Sequence, residues 1–134
     1  MGSTAVILLD THVWIWWMEG NASLRPSLRE KIDSEPVLAI SAISLVEVAT
    51  KAARGTLQLT FPLHEWMETA LDQAGVQLIP ISPAIAIDAA NLPGGFHKDP
   101  ADRLIVATAR VSEIALATQD GAILQYPHVD LLTL

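Results

Sequence analysis

Residues 5–9, Ala5-Val6-Ile7-Leu8-Leu9, are five consecutive apolar residues. The chain then breaks at a single acid, Asp10, and runs on through Thr11-His12-Val13-Trp14-Ile15-Trp16-Trp17-Met18. The first run is strand-sized and apolar without alternation, the pattern of a strand covered on both faces. The second is apolar almost all round, which predicts a well-buried helix. A buried strand passing through an acid into a buried helix is how a parallel α/β unit begins. The remaining chain repeats the theme. Residues 37–40, 76–81 and 114–118 read as further buried strands, and 130–132 as a short last one. Residues 24–33, 45–54, 62–74, 83–91 and 100–112 read as helices. Gly55 and Gly75 are expected to close two of them as left-handed caps, and Pro83 and Pro100 to open two others. The result is an α/β fold with one domain over residues 1–134, a central and mainly parallel sheet, and helices on both faces. No repeat or interior linker interrupts it, and residues 92–96 (Leu-Pro-Gly-Gly-Phe) are the most loop-like.

Composition limits the function classes. The chain has 134 residues and is 51% hydrophobic, enough for a core without staples. It has no cysteine, which excludes disulfides, thiolate metal sites and a cysteine nucleophile. A cysteine-free chain suits the cytoplasm. No apolar run approaches the roughly 18–20 residues of a membrane span, and Met1–Thr4 has neither the basic region nor the cleavage site of a signal peptide. The net charge of −7, with eight Lys and Arg, argues against tight non-specific nucleic-acid binding. A metal site offers another account of that charge, because bound cations reverse the local sign.

The acids are not scattered. Open α/β sheets place their sites beyond the carboxyl ends of the strands, and the acids fall there. Asp10 follows the first strand, and Glu47 lies one to two turns into the helix after the second. Asp99 and Asp102 begin the helix of His97-Lys98-Asp99-Pro100-Ala101-Asp102-Arg103, and Asp120 follows the fourth strand. Carboxylates brought together raise each other's pKa, so such a cluster is most simply a hard-cation site. Oxygen donors suit Mg²⁺ or Mn²⁺, one ion or two. Such ions activate water and stabilise the phosphate oxygens of an in-line displacement.

Each acid also has a plainer reading. Asp10 can cap the helix at Thr11, and Glu47 can pair with Lys51 one turn later. Asp102 suits the first-turn dipole, and Asp120-Gly121 suits a turn. For Asp99, before Pro100, the cap is the preferred reading. A structural role is preferred for His12 and His97. Three indoles within four residues (Trp14, Trp16, Trp17) cannot all face one way. At least one belongs to the core, and the rest fit a groove for a protein partner better than base stacking.

Four stretches resemble the PIN-domain family. Leu8-Leu9-Asp10-Thr11-His12 is similar to its first motif, a strand ending in Asp followed by Thr or Ser. Ser41–Ala49 resembles the second, with Ser44 three residues before a helix-borne Glu47. Lys51 and Gly55-Thr56-Leu57 fit the VapC-like branch, and residues 97–109 are similar to its H-x-D-P-x-D-R-x-x-x-A-x-A signature. Leu116-Ala117-Thr118-Gln119-Asp120 resembles the last motif, T-x-D. The resemblance implies a PIN-like domain and a prokaryotic ribonuclease toxin that cuts RNA with Mg²⁺ or Mn²⁺. It makes Asp10, Glu47 and Asp102 the core catalytic and metal-binding residues, with Asp120 the fourth acid. It also implies a homodimer held inhibited by a cognate antitoxin. Asp99, Ser44 and Thr118 become accessory residues, the two hydroxyls orienting carboxylates or waters. Lys98, Arg103 and Lys51 become phosphate contacts. Two rivals stay open. One is an α/β binding module that has lost catalysis. The other is a phosphoryl-transfer domain of receiver or haloacid-dehalogenase type, against which stand His12 and Leu8-Leu9 at the positions where those families need acids.

Overall fold

A computed structural model describes residues 6–132. Four strands form one sheet: β1 (Val6–Leu9), β2 (Val37–Ser41), β3 (Val76–Ile79) and β4 (Ala115–Ala117). Their order is β3-β2-β1-β4, and every pairing is parallel. Leu116 also makes a parallel bridge to Leu131, so the expected last strand is present as one bridge beside β4. The helices are α1 (Thr11–Glu19), α2 (Pro26–Ser34), α3 (Ala42–Ala53), α4 (Leu63–Leu71), α5 (Pro83–Ala90), α6 (Pro100–Ser112) and α7 (Gly121–Leu124). Among the described residues no helix is long and apolar enough to cross a membrane.

Side chains alternate across the strands into two cores, as the pleat requires. Ile7, Leu9, Leu38 and Ile40 pack on one face with Val13 and Trp14 of α1, Leu28 and Ile32 of α2, and Trp66 of α4. Leu8 and Ala39 pack on the other with Ile85 of α5, Ile105 and Val106 of α6, and Ile123 of α7. The expected two-sided parallel sheet is therefore what forms. Its strand order reverses direction at β1, so the crevice between the ends of β1 and β4 is the topological switch point.

Several boundaries differ from expectation. β3 is an edge strand rather than a fully buried one: Leu78 is 45% exposed, and the strand stops at Ile79, before Pro80, which has no N–H to donate. α3 starts at Ala42, three residues before the expected Leu45, because the buried Ser41 caps it by accepting from the Ile43 amide. α4 ends at Leu71, so Gly75 caps nothing. Gly75 has φ +82°, and a Cβ there would stand 2.2 Å from the Pro36 carbonyl oxygen; glycine lets the turn into β3 pass beneath that carbonyl. α7, a single helical turn capped by Asp120, stands where a turn at Asp120-Gly121 was the plainer reading. Ala5, expected in the first strand, lies outside the described residues.

Candidate active site

Asp10 leaves β1 at its carboxyl end, where its own amide still bonds the Ala117 carbonyl of β4 at 3.0 Å. It caps α1, with Oδ1 accepting from the Thr11 amide at 2.8 Å. Its other oxygen accepts from the Thr118 hydroxyl at 2.7 Å. Asp10 is therefore a cap, but a cap 3% exposed with a second partner just past the end of β4. Burial pushes its carboxyl up, the bonds from Thr118 and Thr11 and the nearby His12 pull it down, and Asp120 pushes it up again. The Thr118 oxygen also accepts from the Asp120 amide at 3.0 Å, so one hydroxyl ties the first acid to the fourth.

Glu47 arrives from α3 and is fixed by hydroxyls. Thr11 Oγ1 donates to Glu47 Oε1 at 2.5 Å, and the same oxygen lies 2.7 Å from Ser44 Oγ. A hydroxyl has one proton to give. Thr11 spends its proton on Glu47, so Ser44 must donate to Thr11. The buried relay Ser44→Thr11→Glu47 therefore links α3 to the residue directly after Asp10. The Glu47–Lys51 pair of the plainer reading does not form. Lys51 instead sets its Nζ 3.0 Å from His12 Nε2.

Asp102 sits in the first turn of α6. The cap belongs to Asp99, which accepts from the Ala101 amide at 2.9 Å and the Asp102 amide at 3.5 Å. The Asp102 side chain is left to face the other acids, with Oδ2 3.2 Å from His97 Nε2. Its carboxyl is pushed up to about 7, first by burial and then by Asp99, Asp10, Asp120 and Glu47 in turn. Every acid singled out in the sequence thus acts on Asp102. Asp120 caps α7 through Oδ2 to the Ile123 amide at 3.1 Å. One ligand atom each from His97, Asp102 and Asp120 lie within 4.8 Å of one another.

Asp10 and Asp120 line a cleft of about 260 Å³ with His12, Trp16 and Gln119. A larger groove of about 660 Å³ lies along the end of α4, against Glu68 and Asp72, and gathers none of these acids. Trp14 is in the core, edge-on to Trp66 at 5.0 Å. Trp16 is at the cleft, and Trp17 donates to Asp33 at 2.8 Å.

The basic residues divide. Lys51 reaches the rim through His12. Lys98 is exposed on the loop before α6. Arg103 makes structural bonds: Nε donates to the Ala89 carbonyl at 2.8 Å, and Nη1 to those of Phe96 and His97 at 2.9 and 3.1 Å. It staples the 91–99 loop instead of facing the cleft. Sequence reasoning missed two residues. Thr11 was legible only as the hydroxyl after a strand-ending acid. Gln119 holds the α1–α2 loop, accepting from the Arg25 amide at 2.8 Å and donating to the Ser23 carbonyl at 3.0 Å, and nothing in the sequence marked it.

Among the described residues no Lys or Arg pairs with Asp10, Glu47, Asp102 or Asp120. Four carboxylates with no Lys or Arg partner, one of them raised to about 7 by burial and by the neighbouring acids, have the donor chemistry that a hard divalent cation relieves.

A family model described as PIN domain matches residues 7–129. The chain is 35% identical over 122 residues to "Ribonuclease VapC22" from Mycobacterium tuberculosis, covering 91% of this chain and 92% of that one. Its fold is similar to that in the crystal structure of DNA-bound VapBC from Salmonella typhimurium, at a TM-score of 0.69 and 16% identity, over 96% of this chain and 97% of that one. It is also similar to that of VapBC2 from Rickettsia felis bound to a promoter DNA fragment, at a TM-score of 0.68 and 16% identity, over 95% and 97%. Sequence match, sheet order and acid placement agree: the chain belongs to the PIN-domain family.

Proposed function

We propose that this protein is an Mg²⁺- or Mn²⁺-dependent endoribonuclease, the toxin of a toxin–antitoxin pair, in which Asp10, Glu47, Asp102 and Asp120 hold one or two ions. The observation that carries the reading is the convergence of these four acids at the switch point with no cationic partner among the described residues. The relative that shares 35% identity is named a ribonuclease, which sets the reaction class. One solved structure of similar fold is described as a toxin–antitoxin complex from Klebsiella pneumoniae, which supports an antitoxin as partner. RNA as substrate makes the cytoplasm the compartment, and a homodimer is the expected free state.

When bound, a divalent ion supplies a more acidic water and charge neutralisation at a phosphate. The protein's own groups prepare that site. Thr118 and the Thr11 amide each take one bond to Asp10, leaving further lone pairs on both oxygens. The Ser44→Thr11 relay fixes Oε1 of Glu47 and leaves Oε2 as the oxygen that would hold a cation. Lys51 at the rim and Lys98 on the loop are the groups offered to the backbone phosphates of the RNA. Arg103 supports them by holding the loop. The net charge of −7 is the observation that favours a binding-only domain. Neutralisation of the acid cluster by cations answers it, and a toxin held by its antitoxin need not grip RNA tightly. Asp10→Asn, which keeps the size and one acceptor oxygen and turns the other position into an NH2 that Thr118 must accept from, is expected to abolish RNA cleavage while the protein stays folded by circular dichroism. A folded Asp10→Asn protein with full activity would refute the assignment.

A further inference from the structure

His97 brings a different kind of group to the acids. By distance alone it is a candidate nitrogen ligand, because one of its ring nitrogens lies within 4.8 Å of carboxylate oxygens from Asp102 and Asp120. Its other nitrogen argues against that role. Nδ1 faces the Asp99 amide at 3.3 Å. A backbone amide can only donate, so Nδ1 must present a lone pair. A neutral imidazole has one lone pair and one N–H, so the proton is on Nε2. A protonated ring nitrogen does not ligate a cation, and the carboxylate oxygen facing it, 3.2 Å away, is Asp102 Oδ2. In metal-ligating histidines the pattern is the reverse, with the second nitrogen donating to a carbonyl or carboxylate.

We infer that His97 is a positioning residue: an Nε2–H donor that occupies one oxygen of Asp102 and turns the other toward the cation site. The inference rests on the reading of the four acids as a metal site. The ring is 38% exposed, so its pose comes from contacts rather than burial. It packs on Phe96 with centroids 4.2 Å apart, and Phe96 packs on Tyr126 at 4.8 Å. Arg103 holds the carbonyls of both Phe96 and His97. Asp99 therefore acts twice, its carboxylate capping α6 and its amide selecting the tautomer of His97. Of the three groups His97, Asp102 and Asp120, only oxygens are then left for the cation.

Two substitutions separate the roles of the ring nitrogens. His97→Gln puts an amide N–H where Nε2 was and gives up the bond from Asp99. His97→Asn keeps an acceptor where Nδ1 was and falls short of Asp102. The full-length protein, free of RNA, is titrated with Mn²⁺ by calorimetry. His97→Asn is expected to weaken Mn²⁺ binding about 10-fold, and His97→Gln to stay within about twofold of wild type. Nitrogen NMR of histidine-labelled wild type, above the histidine titration range, is expected to show the Nε2–H tautomer both with and without Mg²⁺. A switch to the Nδ1–H tautomer on adding Mg²⁺, or equal losses in both variants, would make His97 a ligand and overturn the inference. Unchanged affinity in His97→Asn would overturn it too, leaving only a loop contact. A wild type that binds no Mn²⁺ fails the metal-site reading and this inference with it, whereas a binding wild type with the wrong variant order fails this inference alone.

Discussion

Replacing Asp102 with Asn should make the metal-free protein more stable while removing its activity. Asp102 carries its charge at a cost, because burial and four neighbouring carboxylates push it from the ordinary 3.8 to about 7. For a fully enclosed group that displacement corresponds to about 4 kcal/mol against the charged form at high pH. The carboxyl is partly solvated, and its side chain is 22% exposed. Screening therefore reduces the expected figure to roughly 2 kcal/mol. The sign follows from proton linkage. An acid whose pKa is raised on folding binds its proton more tightly folded than unfolded, so stability falls as pH rises. The penalty is absent below the ordinary carboxylate range, grows through it, and is complete above about 7. The neutral, isosteric Asn carries no such penalty. Urea unfolding in EDTA should then show Asp102→Asn more stable than wild type by roughly 2 kcal/mol near pH 8, and by less than half of that near pH 5. A destabilised Asp102→Asn protein at high pH, or a gain independent of pH, would refute the claim that the acids strain one another.

The hydroxyl relay is tested by Thr11→Val, which keeps the volume, strands the buried Ser44 hydroxyl and frees Glu47. It should cost about 1–3 kcal/mol in urea unfolding and weaken Mn²⁺ binding, and no change in either measurement would contradict the relay. Lys51 and Arg103 should behave oppositely. Lys51→Ala should weaken binding of a non-cleavable RNA and reduce the salt slope by about 0.7–1, whereas Arg103→Ala should lower the melting temperature and leave the salt slope alone.

Much of the architecture was legible because strand burial and acid placement reinforce each other. An apolar run ending in one acid locates both the strand and the site edge, and Asp10, Asp102 and Asp120 sit at their elements' ends as read. What was not legible depends on the sheet as a whole. Val76–Ile79 carries the same apolar signal as the central strands, and only the sheet order makes it an edge with Leu78 exposed. Gly75 signals a positive φ, but that signal is shared by a helix cap and by the close passage under Pro36 that occurs here. A four-residue helix such as α7 is too short to show a period. Arg103 looks the same whether it will meet a phosphate or three carbonyls. The loop around it decides, and that loop is ordered by contacts to Ala89 and Tyr126 distant in sequence.

The central claim is that four carboxylates hold a cation that cuts RNA. The most direct test is to incubate total RNA with purified, antitoxin-free protein and with Asp102→Asn, in Mg²⁺, Mn²⁺ or EDTA, and to sequence the ends of any fragments. The account predicts discrete fragments from wild type with either metal, none with EDTA, and none from the folded Asp102→Asn protein. Wild-type cleavage that persists in EDTA or in Asp102→Asn, or a folded wild type that cuts no RNA with either metal, would contradict it.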